Sequence, residues 1–207
     1  MKTRPPAAGA ARLPIRHSIA RIFWILSRWT FVPESPRVDG ARVIIGAPHT
    51  SNWDFIFMLC ISWNERLRPR WLGKKSLFAG WRGPFMRALG GIPVDRSNPA
   101  GLVESLVAQV RTHDDLAIVV TPEGTRSAGT DWRSGFYRIA RATGVPLTLG
   151  YVDRPTRTCG LGETLRLTGD VASDMDRIRA FYADKSGLRP QLRTEPRLRD
   201  ETGRADD

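Results

Sequence analysis

The chain has 207 residues, 41% of them hydrophobic, and a formal net charge of +11. That apolar share excludes a largely disordered chain, and the length suits one domain with a sizeable core plus an appendage. The two cysteines, Cys60 and Cys159, are too few and too far apart for a disulfide framework or a metal cluster, which favours a reducing, cytoplasmic setting.

In chain order, residues 1–14, "MKTRPPAAGAARLP", read as a disordered basic leader, with no signal-peptide cleavage pattern. Residues 15–32 read as an amphipathic helix: Ile15, Ile19, Ile22, Phe23, Leu26 and Trp29 share a helical stripe, and Arg16, Arg21 and Arg28 fall outside it. An apolar face opposed by arginines suits a helix lying in a membrane interface, and it equally suits a helix packed on the domain. Seven tryptophans lean the same way, although several are expected in the core. No apolar run approaches the roughly 20 residues of a spanning helix.

Elements then alternate: strand 42–47 ("RVIIGA"), helix 51–65, short strand 70–74, a broken helical stretch 76–90, strand 91–95, helix 99–113, strand from 116, helix 134–144, strand 145–153, a further strand at "TLRLTGD" (164–170) and helix 171–183. The expected fold is α/β: a single domain over 40–183, with a mixed, mostly parallel sheet and helices on both faces, preceded by the amphipathic helix. Residues 184–207, polar and proline-containing, are expected to be a disordered tail.

Three polar clusters follow apolar strands, where α/β sheets gather their ligands. In "PHTSNWD", Ser51 and Asp54 fit a capping-box pattern at a helix start, which leaves His49 unexplained. With His49 on the loop before the helix, its ring can fold back to Asp54. The carboxylate then fixes one ring nitrogen and leaves the other to take a proton from a substrate hydroxyl. There is no Gly-x-Ser-x-Gly elbow and no cysteine beside a histidine, so such a pair implies direct attack by the substrate's own hydroxyl. "GGIPVDRS" ends in Asp95 and Arg96, a solvated turn or an arginine set to hold phosphate. In "VVTPEGTRS", Gly124 permits a tight turn with exposed amides, Glu123 can orient nearby arginines, and Arg126 adds a second cation.

Together, "HTSNWD", "GGIPVDRS", "TPEGTRS" and "VPLTLGYVD", in this order and spacing over residues 40–152, resemble the four blocks of the glycerolipid acyltransferases, which include the 1-acyl-sn-glycerol-3-phosphate acyltransferases. The resemblance implies that His49 is the general base and Asp54 its orienting partner. It further implies that Arg96, assisted by Arg126 and by Lys74 of "GKKSLF", binds the acceptor's phosphate. Gly91 falls in the second block, Glu123, Gly124, Thr125 and Arg126 in the third, and Val145 and Pro146 in the fourth, a structural and acyl-donor-side element. Arg133 and Gly135 match the family's basic-x-Gly helix start. Thr121 stands where many members have phenylalanine, and Ser76 where glutamate is common, which leaves the acceptor open.

The expected activity is transfer of a fatty acyl group from acyl-CoA or acyl carrier protein to the hydroxyl of a lysophospholipid. The acyl carrier is a co-substrate, and no metal or other cofactor is expected. Expected partners are an anionic membrane surface and the two substrates, with the protein peripheral on the cytoplasmic face of the cell membrane. The alternatives are acylation of another lysolipid or alcohol, or a non-catalytic basic protein that binds membrane or nucleic acid. No recognisable nucleic-acid motif supports the last.

Overall fold

The computed structural model describes residues 12–94, 99–113 and 115–202. The centre of the fold follows from three apolar runs: β2 (Arg42–Gly46), β5 (Leu116–Val120) and β6 (Leu147–Asp153). Their residues are buried on both sides, as parallel strands covered by helices must be. With β1 (Thr30–Val32), β3 (Arg68–Lys74), β4 (Gly91–Val94) and β7 (Thr158–Leu165) they form one seven-stranded sheet in the order β1-β7-β6-β2-β5-β3-β4. The pairs from β6 across to β4 are parallel, β7 runs antiparallel to β6, and β1 pairs parallel to β7. The carboxyl ends of β2, β3, β4, β5 and β6 therefore share one edge.

Strand alternation sends neighbouring residues to opposite faces. Val43 and Ile45 meet Leu106 and Val110 of α4 (Pro99–Thr112), Phe136 and Ile139 of α5 (Gly135–Thr143), and Met175 and Ile178 of α6 (Val171–Tyr182). Ile44, between them, faces Phe57 and Ile61 of α2 (Trp53–Asn64), with Phe78 of the 3-10 turn Lys75–Phe78. The α2 sequence is apolar on nearly every side because its far side is covered too: Leu59, Cys60 and Trp63 pack on Ala20 of α1 (Arg12–Ser27). A short helix α3 (Arg82–Ala88) leads into β4. The fold is thus the expected single α/β domain with an N-terminal helix.

Four expectations are corrected. Helix α1 stops at Ser27, short of residue 32, because Arg28 adopts a left-handed conformation (φ 58°). The turn lets Trp29 pack 4.7 Å from Phe57 and lets Thr30–Val32 pair with β7. The strand expected at 164–170 lies instead at Thr158–Leu165, a hairpin with β6, and its two glycines hid it from pattern reading. Residues 184–202 are not a loose tail: Leu198 is buried against Trp132, Thr194 is buried, and 3-10 turns form at Pro190–Leu192 and Arg199–Thr202. Pro, Arg and Gln carry no periodicity, so packing through isolated anchors leaves no pattern to read. Of the expected disordered leader 1–14, residues 12–14 belong to α1, and residues 1–11 lie outside the described residues.

A buried ion pair fixes the entry to β2. Arg42 and Glu34 contact each other with side chains only 1% exposed, Glu34 Oε2 also accepts from Val38 N, and Glu65 Oε1 accepts from Glu34 N. Removing one partner leaves a buried charge uncompensated. Glu34→Ala is therefore expected to lower the unfolding free energy by about 3–5 kcal/mol, read from the urea midpoint with an unchanged slope.

Candidate active site

The loop between β2 and α2 carries His49, and two buried carboxylates grip its backbone. Asp54, in the first turn of α2, accepts from Thr50 N and Ser51 N, both at 2.7 Å, through Oδ2. Glu123, in the loop after β5, accepts from His49 N at 3.1 Å through Oε1. Three successive amides at a helix start are thereby satisfied by charge, the arrangement that helix N-termini favour. Ser51 Oγ accepts from Trp53 N, while the N-cap itself is Asn52 and makes no side-chain cap bond, so only the Asp54 half of the capping box forms, alongside the contact of histidine with Asp54.

The same Asp54 Oδ2 lies 3.3 Å from His49 Nδ1, with the imidazole 22% exposed. That is contact distance, looser than a well-formed ring hydrogen bond. It leaves Nε2 as the ring nitrogen not engaged by Asp54. Two carboxylate oxygens beside it, Asp54 Oδ1 and Glu123 Oε2, are buried without hydrogen-bond partners among the described residues.

The other expected site residues divide. Arg126 is exposed and donates to Asn52 Oδ1, which ties the loop after β5 to the loop carrying His49. Lys74 is exposed at the carboxyl end of β3, level with Val94 of β4. Arg96, two residues beyond β4, lies outside the described residues together with Asp95. Thr125 is exposed, and its hydroxyl accepts from Ser127 N.

Two expectations, on Glu123 and on the Gly124 amide, do not hold as stated. Glu123, expected to orient the site's arginines, is 5% exposed and turned inward under the His49 loop. The arginine whose charge acts on it is Arg193, from the segment expected to be disordered. Gly124, expected to present its amide, uses that amide to close a turn onto Thr121 O at 3.1 Å. Its φ of 66° and the Arg133 side chain, 2.5 Å from where a Cβ would sit, explain the glycine. Val145 and Pro146 precede β6 at the amino edge of the sheet, a strand length of about 16 Å from His49. There they line a groove with Gly40, Thr164 and Arg166, away from the imidazole.

Burial pushes the Glu123 carboxyl up to about 7; the His49 amide and Arg193 oppose this, and the Asp54 charge adds to it. A carboxyl raised from about 4.5 to about 7 on folding binds its proton more tightly in the native state. Its favourable contribution is complete below pH 4.5 and lost as pH rises through 7, about 3 kcal/mol in all. Glu123→Gln is expected to flatten the pH dependence of unfolding free energy between pH 4.5 and 7; an unchanged slope contradicts the raised value.

Among the described residues, no group of three or more His, Cys, Asp or Glu side chains could hold a metal ion. Cys60 and Cys159 are buried free thiols.

Comparison with known proteins bears on the family and the fold. A family model described as Acyltransferase matches residues 29–148, more than half of the chain. Two relatives, both named 1-acyl-sn-glycerol-3-phosphate acyltransferase, are 33% identical over 125 residues (Haemophilus influenzae) and 28% identical over 113 residues (Streptococcus pneumoniae). These matches cover 56% and 51% of this chain, and the chain spans only 49% and 39% of the relatives' lengths. The crystal structure of the 1-acyl-sn-glycerophosphate acyltransferase PlsC from Thermotoga maritima shares the fold, with a TM-score of 0.58 and 17% identity over 87% of this chain and 80% of that one. With four motif blocks in order, the family model across the sheet and this fold in common, the chain belongs to the glycerolipid acyltransferase family.

Proposed function

We propose that the protein is an O-acyltransferase that moves a fatty acyl group from acyl-CoA or acyl carrier protein to the free hydroxyl of 1-acylglycerol-3-phosphate or a similar lysophospholipid. The observation that carries this reading is the His49 imidazole held 3.3 Å from Asp54 at the carboxyl edge of the sheet, with the Arg126 and Lys74 cations at the same edge. The names of the two relatives support the choice of acceptor.

In this mechanism the acceptor hydroxyl hydrogen-bonds to His49 Nε2, while Asp54 holds Nδ1–H and stabilises the imidazolium that forms. As the oxygen attacks the thioester carbonyl, its proton passes to Nε2. The new C–O bond completes as the C–S bond breaks, and the departing thiolate recovers the proton from the imidazolium. Arg126, Lys74 and Arg96 neutralise the acceptor's phosphate and hold its hydroxyl against the ring. Positioning and general-base catalysis share the barrier reduction, the latter contributing about 100- to 10,000-fold. No protein nucleophile and no metal or redox cofactor enters the scheme.

The same reading puts the protein peripherally on the cytoplasmic face of the cell membrane, where its lipid substrates reside. No described helix is long and apolar enough to cross a membrane. Helix α1 exposes Ile15, Ile19, Ile22, Ile25 and Leu26 to solvent, and α3 with its N-cap exposes Phe85 and Trp81. Arg16 joins the two helices by donating to Ala88 O, and Arg82 stacks 5.5 Å over Trp81. Apolar side chains interleaved with arginines, on a chain of charge +11, suit an anionic lipid surface.

Three experiments test these assignments. His49→Ala, in a folded protein, is expected to reduce acyl transfer about 100- to 10,000-fold. Arg126→Ala is expected to raise KM for a phosphorylated acceptor about tenfold, with a smaller effect on kcat. Near-normal turnover by folded His49→Ala defeats the mechanism. The double variant Ile22→Asp/Leu26→Asp is expected to bind vesicles containing phosphatidylserine at least about tenfold more weakly; undiminished binding removes α1 from the interface.

A further inference from the structure

Residues 184–202, which follow α6, form a strap across both loops of the candidate site. The strap is anchored first at Asp153, which ends β6 and is 2% exposed: Ser186 N and Ser186 Oγ both donate to its Oδ1 at 3.0 Å. Arg154 Nη1 donates to Leu188 O nearby. The strap then lies flat on the loop that carries His49. Gly187 sits at φ 70°, and a Cβ there would be 3.0 Å from Pro48 Cβ and 3.2 Å from Thr50 Oγ1, the residues on either side of His49. Arg189 N donates to Thr50 Oγ1 at 3.0 Å, and Thr50 is 1% exposed.

Further along, the strap holds the second loop. Thr194 Oγ1 accepts from Gly129 N at 2.9 Å, Thr194 O accepts from Trp132 Nε1, and Arg197 O accepts from Trp132 N at 2.7 Å. Between these anchors Arg193 donates to Tyr182 O and pairs with Glu195 at 3.2 Å, and its charge acts weakly on Glu123. The His49 loop is therefore held from two sides. Asp54 and Glu123 take its amides, and Gly187 and Arg189 close over residues 48 and 50.

We propose that this strap is a positioning element of the active site, with Gly187 and the Arg189–Thr50 hydrogen bond setting the orientation of the His49 imidazole. The proposal rests on the acyl-transfer reading for its kinetic consequence but not for its geometry. His49 sits on a loop rather than inside a helix, so its ring direction follows the backbone at 48–50. A displacement of about 1 Å at a reacting group costs about 100-fold in rate. Contacts to both flanking residues are the most economical way to prevent it.

The test compares Thr50→Val, Thr50→Ser and Gly187→Ala in the full chain. Thr50→Val keeps the buried shape and leaves Arg189 N without an acceptor. It is expected to lower kcat at least about tenfold while KM for the acceptor changes less than about twofold. Thr50→Ser, which keeps the hydroxyl, is expected to restore most of the loss. In the substrate-free protein, the ring nitrogen resonances of His49 are expected to shift in Thr50→Val and return in Thr50→Ser. Should Thr50→Val fail to fold, Gly187→Ala presses the same loop from the strap side and is expected to show the same kcat loss and ring shift. Wild-type kcat and unmoved His49 resonances in these variants overturn the proposal. Wild-type protein that transfers no acyl group at all refutes the activity instead, and the ring resonances still decide the positioning role.

Discussion

Three consecutive backbone amides, at residues 49, 50 and 51, donate to two buried carboxylates, and the rest of the site depends on that grip. The carboxylates come from different parts of the chain: Asp54 from the helix the loop enters, Glu123 from the neighbouring strand's loop. Pairing β2 with β5 in parallel register is what brings them together. The sheet therefore determines where His49 stands. Asp54 serves twice, since the oxygen that takes two amides is also the one beside the imidazole. A carboxylate already committed to the backbone cannot swing away, which is how a loop residue acquires the precision of a core residue.

Burial has a cost that shapes the site. Two carboxylates share the ground beneath one loop, and each leaves an oxygen buried without a hydrogen-bond partner among the described residues. Loss of solvent, with a smaller push from the neighbouring Asp54 charge, raises Glu123, while Asp54 keeps its two short amide bonds. The environments thus separate two chemically similar groups: one braces the loop through an amide, the other addresses the imidazole. Arg193 partly offsets the cost from the far side.

Much of this was legible before any coordinates. Strong apolar runs such as "RVIIGA" and "LAIVV" announce buried parallel strands, and the polar clusters after them mark the loops that meet at the candidate site, because strand patterning and strand-end chemistry are local. His49 with Asp54, and Arg126 with its glycine turn, were readable for the same reason. What escaped was set by tertiary contact. The inward turn of Glu123 depends on a partner amide 74 residues away. The strap's order depends on single anchors, Ser186, Thr194 and Leu198, embedded in a polar segment. The role of Asn52 as the acceptor for Arg126 required the two loops to meet in space.

In the proposed reaction the acceptor's own hydroxyl attacks the thioester, with His49 taking its proton. The most direct measurement follows thiol release from a labelled acyl-CoA by the purified chain, with and without 1-acylglycerol-3-phosphate, and quantifies the acylated lipid. Thiol release is expected to depend on the acceptor and to match diacyl product one for one. Thiol release of equal rate without acceptor, or acyl label left covalently on the protein, would contradict this mechanism.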